Sequence, residues 1–259
     1  MGGMTQLLGY PPARMVALHG FTQHGGMFLE LAAELGVGVL AVDLPGHGEA
    51  ADIEASWPSV VEHVVAAIES VGGPLPLVGY SQGGRVALVT ALERPDLVSH
   101  LVIISASPGY EDPIEAVARV AADEELATSI ERTGVTIFLD RWLASPLFAG
   151  LTARGDEWLE GDRRARQRNS AAGLAAALRG MGQGTQPYLG DRLSSLSMPV
   201  LILAGAEDAL YVRHAQAMGD AIPVSFLEVL EGAGHALVGE RPTEVARRIA
   251  RFLGWSTDG

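Results

Sequence analysis

The sequence predicts an α/β protein with a mostly parallel central sheet flanked by helices and an all-helical segment inserted between two core strands. Short apolar runs bounded by turn residues recur in the first half of the chain and again near its end, which is typical of buried strands. Helix-length segments separate these runs, and such alternation favours parallel pairing with helices on both faces. The strand pattern stops between Ser107 and Met198, which predicts the inserted segment.

In chain order, six apolar runs are predicted as strands: 15–18, 38–42, 75–78, 101–104, 199–203 and 224–230. Helices are expected at 26–35, 57–71, 82–94 and 242–253; Pro95 stops the third, and Pro242 suits the first turn of the last. Inside the inserted segment, helical patterns cover 115–131, 136–142 and 165–181. We therefore expect an α/β core of residues 1–107 and 198–259, and a helical cap of residues 108–197.

Composition narrows the possible chemistry. The chain has no cysteine and no lysine, so all 18 of its basic residues are arginine. These absences exclude disulfides, thiol nucleophiles, cysteine-ligated zinc and lysine Schiff bases. We expect no cofactor and no metal. Ten of the arginines lie between residues 111 and 197, which makes the predicted cap locally rich in cationic side chains.

Charge and hydropathy narrow the possible partners. The net charge of −13 disfavours nucleic acid and anionic membranes, because both require a cationic surface. No apolar run is long enough for a transmembrane helix, and the N-terminus lacks a signal-peptide pattern. We expect a cytoplasmic protein, a monomer or weak homo-oligomer, that acts on a small anionic or ester substrate.

One serine lies between two glycines where a predicted strand meets a predicted helix. The pattern is Gly79-Tyr80-Ser81-Gln82-Gly83, and its glycines permit the sharp turn that exposes a serine hydroxyl above a sheet edge. A pattern of this kind can arise by chance in a chain with 32 glycines, but the strand before it and the helix after it favour a nucleophile elbow.

The downstream sequence supplies the partners that a nucleophilic serine needs. Asp208 follows the strand at 199–203, and His235 follows the strand at 224–230. A histidine can accept the serine proton, and a carboxylate can hold that histidine in the right tautomer. We therefore predict Ser81, Asp208 and His235 as a catalytic triad; Glu207 remains an alternative acid, and His47 could line the site.

An oxyanion site requires two backbone amides held in place before the reaction. The amide of Gln82, directly after the predicted nucleophile, is one candidate. The amide of Phe21, in the loop after the first predicted strand, is the other.

The elbow, the His19-Gly20-Phe21 loop, the turn at 43–48 (DLPGHG) and the ordered Asp208 and His235 resemble the α/β-hydrolase superfamily over the whole chain. The resemblance implies the α/β-hydrolase fold. It leaves the function open, since that fold is shared by esterases, lyases, dehalogenases and receptors. A dehalogenase is disfavoured, because it requires aspartate in place of Ser81, and the intact triad pattern disfavours a receptor.

A narrower resemblance lies in the elbow and the predicted cap. The elbow up to Arg85, the segment 138–148 (FLDRWLASPLF) and the segment 166–187 resemble the 2-succinyl-6-hydroxy-2,4-cyclohexadiene-1-carboxylate synthases of menaquinone biosynthesis. Enzymes of that family are lyases that remove pyruvate from a tricarboxylate, using the triad to move a proton and arginines to hold carboxylates. The chain departs from the family pattern at 182–184 (GQG), at Gly190 and at 210–211 (LY).

Several residues are expected to bind substrate. Arg85 lies one helical turn beyond Ser81, where a guanidinium could hold a carboxylate through two hydrogen bonds. The resemblance implies carboxylate binding by Arg119 and Arg168, with Tyr80 and Trp142 completing the pocket wall; each cap arginine could instead form an ion pair at the surface. The leading hypothesis is a pyruvate-eliminating lyase, and the alternative is a serine hydrolase, either a carboxylesterase or a carbon–carbon hydrolase.

Overall fold

The computed structural model describes residues 4–256, which contain a seven-stranded sheet with the order β1-β3-β2-β4-β5-β6-β7. Neighbouring strands pair in parallel except for β1, which runs antiparallel to β3 at one edge. The α/β-hydrolase fold expected from the sequence is confirmed. The strands are β1 (Thr5–Leu8), β2 (Ala13–Leu18), β3 (Gly38–Val42), β4 (Leu75–Tyr80), β5 (Val98–Ile104), β6 (Val200–Gly205) and β7 (Ser225–Leu230).

Helices cover both faces of the sheet. The α-helices are α1 (Leu29–Leu35), α2 (Trp57–Ser70), α3 (Gln82–Glu93), α4 (Pro113–Leu143), α5 (Asp156–Arg166), α6 (Ala171–Met181), α7 (Ala209–Ala221), α8 (Leu237–Glu240) and α9 (Pro242–Leu253). Apolar residues of α2, α3 and α7 form one core layer, and those of α1 and α9 form the other. Such burial on both faces accounts for the almost uninterrupted apolar runs of the central strands.

The predicted strands appear with small changes at their ends, and one strand escaped prediction. β5 begins at Val98 instead of residue 101, while β4 continues to Tyr80, directly before the elbow serine. The unpredicted strand, β1, has only four residues, and most of its side chains are at least partly exposed. Its stability comes from pairing with β3, a long-range contact that a local pattern does not reveal.

The parallel register aligns the carboxyl ends of the strands at one edge. Leu18 of β2 pairs with Gly79 of β4, and Tyr80 of β4 pairs with Ile104 of β5. On the far side, Gly205 of β6 pairs with Leu230 of β7. The loops that follow these strands therefore emerge side by side, which is where ligands bind in open α/β sheets.

Between β5 and β6 lies a segment that contains α4, α5 and α6 and, over residues 108–197, no strand. We call residues 108–197 the helical segment; their status as a separate cap domain stays a prediction. Two of the expected helices, 115–131 and 136–142, are parts of α4, which Gly134 interrupts with a φ of 78°. The helix expected over 165–181 is split, because α5 ends at Arg166 and Ser170 caps α6 by accepting from the Gly173 amide.

No helix within residues 4–256 combines the length and apolar character that a membrane crossing demands.

Candidate active site

The elbow between β4 and α3 holds Ser81 in a strained conformation. Ser81 has a φ of 52° and a ψ of −111°, and its amide donates to the Ile104 carbonyl at 2.8 Å. The turn leaves no room for larger neighbours: a Cβ on Gly83 would lie 2.1 Å from the Leu18 carbonyl oxygen, and one on Gly79 would lie 2.3 Å from the Gly83 carbonyl oxygen. Close packing thus brings the serine beside the end of β2.

Ser81, His235 and Asp208 form a continuous chain of hydrogen bonds. The Ser81 Oγ lies 3.1 Å from His235 Nε2, and His235 Nδ1 lies 2.6 Å from Asp208 Oδ2. Both His235 and Asp208 have nearly buried side chains, with 3% and 9% of their surface exposed. Because a carboxylate accepts the Nδ1 proton, Nε2 is left free to accept the serine proton, as a general base must.

The alternative acid and two other histidines lie in different surroundings from Asp208 and His235. Glu207 is exposed, whereas Asp208 reaches the histidine from the start of α7. His63 lies in α2 and donates to the Asp43 carbonyl at 2.9 Å, and His214 packs against the ring of Tyr211. Within residues 4–256, His235 is the histidine that contacts the Ser81 hydroxyl.

The loop that carries His235 is held by Glu240, a residue that the sequence analysis did not single out. The Glu240 carboxylate accepts from the Gly234 amide at 2.7 Å and from the Ala236 amide at 3.0 Å. One side chain therefore fixes the backbone on both sides of the histidine. The sequence feature that could have identified Glu240 is its spacing of five residues from His235. A carboxylate at the end of α8 can reach back to the loop that precedes the helix.

The two expected oxyanion amides lie on either side of the elbow. Gln82 is the first residue of α3, where helix geometry leaves the amide without an intrahelical acceptor. Phe21 follows the end of β2, and a Cβ on the intervening Gly20 would lie 2.7 Å from the Tyr80 ring, so this loop packs directly on the elbow. Within residues 4–256, neither amide donates to a protein acceptor, as an oxyanion site requires.

Two buried histidines brace the loop that carries Phe21. His19 Nε2 accepts from the Leu44 amide at 2.9 Å, and His47 Nε2 accepts from the Thr22 amide at 3.3 Å. Burial lowers the pKa of each histidine to about 3, so both rings are neutral at physiological pH. His47 thus supports the loop, and the histidine that contacts the Ser81 hydroxyl is His235.

Arg85 is buried one turn beyond Ser81. Only 8% of its surface is exposed, and its NH1 group donates to the Met181 carbonyl at 3.1 Å. Burial lowers its pKa to about 10, which still leaves the guanidinium charged at neutral pH. The remaining guanidinium N–H groups have no hydrogen-bond acceptor in the described part of the chain, and the guanidinium carbon lies 5.8 Å from the centroid of the Trp57 ring. Arg85 is therefore a buried cation with free donors.

Arg119, in α4, has part of its charge neutralised by a carboxylate. Its Nε donates to Asp123 at 2.8 Å, and its NH1 donates to Gln183 at 2.7 Å. Burial opposes its charge, but the hydrogen bond and charge of Asp123 outweigh that effect, and the pKa of Arg119 is raised. Arg119 therefore reaches the same region with part of its charge already paired.

Arg168 and Arg166 differ in burial. Its side chain is exposed in the turn after α5, whereas Arg166, two residues earlier, has 1% of its surface exposed. Arg166 donates to Asp162 at 2.7 Å and to the Thr22 hydroxyl at 2.6 Å, and its third guanidinium nitrogen has no acceptor within residues 4–256. Substrate binding by Arg168 stays a prediction, and Arg166, the last residue of α5, is the arginine of this turn that is buried.

Aromatic rings enclose the site. Tyr80 is buried, with its ring centroid 5.8 Å from that of His235, and burial raises its pKa. Trp142 packs edge-on against Phe21, with their centroids 5.7 Å apart, and its buried indole N–H has no acceptor in the described chain. The helical segment thus covers the loop of the candidate oxyanion site with an apolar ring.

Tyr211 also packs against the candidate site, although in the sequence it stands out only as a departure from a family pattern. Its ring centroid lies 4.4 Å from that of His235. Burial raises the pKa of its phenol, and the charges of Arg85 and Arg119 act on it in the opposite direction. Tyr211 therefore packs against the histidine and lies within range of the charges of both arginines.

Known proteins resemble this chain in sequence and in fold. Residues 15–248 match the alpha/beta hydrolase family model. A Serratia proteamaculans 2-succinyl-6-hydroxy-2,4-cyclohexadiene-1-carboxylate synthase is 31% identical over 218 residues, covering 83% of this chain and 82% of that protein.

Two solved structures are similar over nearly the whole chain. MenH from S. aureus has a TM-score of 0.91 and 28% identity, with 98% of each chain covered. A thermophilic esterase from Thermogutta terrifontis, described with malate bound, has a TM-score of 0.85 and 26% identity, covering 96% of this chain and 92% of that one. The chain belongs to the alpha/beta hydrolase family, and its relatives include 2-succinyl-6-hydroxy-2,4-cyclohexadiene-1-carboxylate synthases.

Proposed function

We propose that the protein is a lyase of the menaquinone pathway that eliminates pyruvate from a succinyl-enolpyruvyl-cyclohexene carboxylate, which is the reaction implied by its resemblance to the 2-succinyl-6-hydroxy-2,4-cyclohexadiene-1-carboxylate synthases. The observation that carries the proposal is the buried Arg85 guanidinium, whose free donors lie one helical turn from Ser81. A buried unpaired cation is costly, and an anionic substrate would offset that cost.

The substrate would bring several carboxylates to this cation. Arg85 is the primary partner, and Arg166 has one further guanidinium nitrogen available. Arg119 contributes a weaker attraction, because Asp123 already neutralises part of its charge. Charged hydrogen bonds of this kind are strong in a site that excludes water, so they would orient the substrate and set its specificity.

The triad would then act on a proton. His235 accepts the Ser81 hydroxyl proton, and the resulting alkoxide removes a proton from a ring carbon of the substrate. The electron pair forms a ring double bond while the carbon–oxygen bond to the enolpyruvyl group breaks. The departing enolpyruvate takes up the proton that His235 holds and becomes pyruvate, which returns the triad to its starting state. The Phe21 and Gln82 amides would stabilise the negative charge that develops on the succinyl carbonyl oxygen.

A second candidate function is ester hydrolysis, in which Ser81 attacks an acyl carbonyl and forms an acyl-enzyme. The similarity to the T. terrifontis esterase favours it, because that relative has the same fold over 96% of this chain. The same hydrogen-bonded triad could serve either reaction, since in both His235 takes the serine proton.

The deciding experiment measures pyruvate release from the tricarboxylate by wild-type protein and by Ser81→Ala. We expect release by the wild type and a loss of at least about 10³-fold in kcat for the variant. Absence of pyruvate together with an acyl-enzyme burst on an activated ester would overturn the lyase proposal and favour the esterase.

Arg85→Ala separates the two functions further. For the lyase, kcat/KM with the tricarboxylate should fall by about 10²-fold or more, while hydrolysis of a neutral ester should change little. Arg94→Ala is the matched control, because Arg94 caps the same helix at its exposed end, where it pairs with Asp96. Equal losses with the anionic substrate and the neutral ester would show that Arg85 serves packing and not carboxylate binding.

A further inference from the structure

The loop that carries the candidate oxyanion amide contains a second strained residue, Thr22. Gln23 donates to the Gly20 carbonyl at 3.1 Å, which closes a four-residue turn with Thr22 in its third position. Thr22 has a φ of 70° there, in the left-handed region that glycine favours. A β-branched residue is a true outlier in this region, and it persists only where its surroundings hold it firmly.

Thr22 is held through every polar atom that it has. Its amide donates to His47 Nε2 at 3.3 Å. Its hydroxyl accepts from Arg166 NH1 at 2.6 Å, and its carbonyl accepts from the Asn169 side-chain amide at 2.6 Å. The first contact comes from the core, whereas the other two come from the helical segment, more than 140 residues away in sequence.

Asn169 is buried, and further hydrogen bonds hold its side chain in place. It has 6% of its surface exposed, and its Oδ1 accepts from the Gly48 amide at 2.9 Å. Its Nδ2 also donates to the Arg166 carbonyl at 3.0 Å, so the side chain links the end of α5 to two core loops. Because the oxygen and the nitrogen of this side-chain amide both form hydrogen bonds, its orientation is fixed. The Thr22 carbonyl that it contacts is thereby held in one position.

We propose that Asn169 and Arg166 form a latch that holds the Thr22 turn and thereby sets the position of the Phe21 amide in the oxyanion site. Asn169 is a positioning residue, since it touches the turn and not the reacting atoms. The latch couples the helical segment to the catalytic machinery: when the segment is docked, the Phe21 amide is in place. The inference rests on the proposed function only in assigning the oxyanion role to Phe21.

The test compares Asn169→Asp with Gln167→Glu. Both changes replace a side-chain amide with a carboxylate in the same turn, but Gln167 contacts Thr136 on the surface and does not touch Thr22. In Asn169→Asp the Gly48 contact can survive, whereas the Thr22 carbonyl would face a carboxylate oxygen instead of a donor. Asn169→Ala removes both contacts without adding charge.

The first readout is amide hydrogen exchange at residues 20–23, which needs no substrate. We expect exchange at these amides to become at least about tenfold faster in both Asn169 variants, beyond any change at the amides of the central strands, and to stay unchanged in Gln167→Glu. Unchanged exchange in the Asn169 variants would overturn the latch, whether or not the protein releases pyruvate. If thermal melts show that Asn169→Asp fails to fold, Asn169→Ala, which adds no charge, decides.

The second readout is the division between kcat and KM for pyruvate release. A displaced oxyanion donor should lower kcat by about 10²-fold while KM stays within about twofold, because the carboxylate contacts of Arg85 remain. Thr22→Val should share the loss, since it removes the hydroxyl that Arg166 binds, and Thr22→Ser should restore most of the activity. Faster exchange with an unchanged kcat would refute the positioning role. A wild type that releases no pyruvate would instead refute the proposed function.

Discussion

The loops at the carboxyl edge of the sheet and the helical segment (residues 108–197) both contribute to the candidate site, but they do so in different ways. The edge loops supply Ser81, Asp208 and His235, which are linked by hydrogen bonds of 3.1 and 2.6 Å. The helical segment supplies arginines with very different surroundings: Arg166 is buried, Arg119 is paired with Asp123, and Arg168 is exposed.

The difference shows what sequence spacing can specify. Residues just after parallel strands must emerge at the same edge, so the order of strands and loops is sufficient to gather them. Residues on packed helices have no such common edge. Whether a side chain points inward depends on where each helix ends, and Arg166 and Arg168 are separated by that boundary.

The largest expected effect tests the edge loops. Asp208→Asn should lower kcat by about 10⁴-fold, because an amide in place of the carboxylate would favour the wrong tautomer of His235. Glu207→Gln, the adjacent exposed carboxylate, should change kcat by less than about twofold. Steady-state kinetics on both variants checks the prediction. Similar losses in kcat would contradict the assignment of Asp208, and not Glu207, as the carboxylate partner of His235.

The second prediction tests the helical segment. Arg166→Ala should destabilise the protein by about 3 kcal/mol, because it leaves Asp162 and the Thr22 hydroxyl without their partner in a buried region. Arg168→Ala should change stability by less than about 0.5 kcal/mol, since its side chain is exposed. Urea unfolding measures both. If Arg168→Ala were the more damaging variant, the division between the two arginines would be wrong.

The smallest effect concerns the buried histidines that brace the edge loops. His19 and His47 have pKa values lowered by burial to about 3, whereas an unfolded histidine has a pKa near 6.5. Between these values the unfolded chain binds more protons, so stability should fall as the pH is lowered through this range. The slope is about 1.4 kcal/mol per pH unit for each histidine.

His47→Gln removes one of these titrating groups. The pH dependence of the unfolding free energy between pH 6 and pH 4 should therefore become shallower by about 1.4 kcal/mol per pH unit. An identical slope in the wild type and the variant would show that His47 is protonated in the folded protein, and would contradict the neutral bracing role.

Much of the fold was predictable, and the failures share one cause. The six predicted strands all exist, and the five interior ones, β2 to β6, have the continuous apolar runs that buried parallel strands need. The missed strand β1 is short, partly exposed and stabilised by its partner. The helix expected over 165–181 is two helices, because Asn169 and Ser170 make tertiary and capping contacts that helical periodicity does not encode.

The same division applies to the candidate site. Ser81, Asp208 and His235 were predictable from the elbow motif and from the order of strands and loops. The structure brings them into hydrogen-bond contact from the ends of separate strands. Tyr211, Glu240 and Asn169 were not selected, because each acts through a contact with a backbone or ring that lies elsewhere in the fold.

The sequence by itself determined the α/β architecture, the elbow and the chain order of its three partners, because these depend on local pattern and on the shared edge of parallel strands. The tertiary structure alone decided which arginine of the helical segment is buried and how that segment holds the Thr22 turn. These features depend on helix ends and on long-range hydrogen bonds, which close packing selects and which no local pattern records.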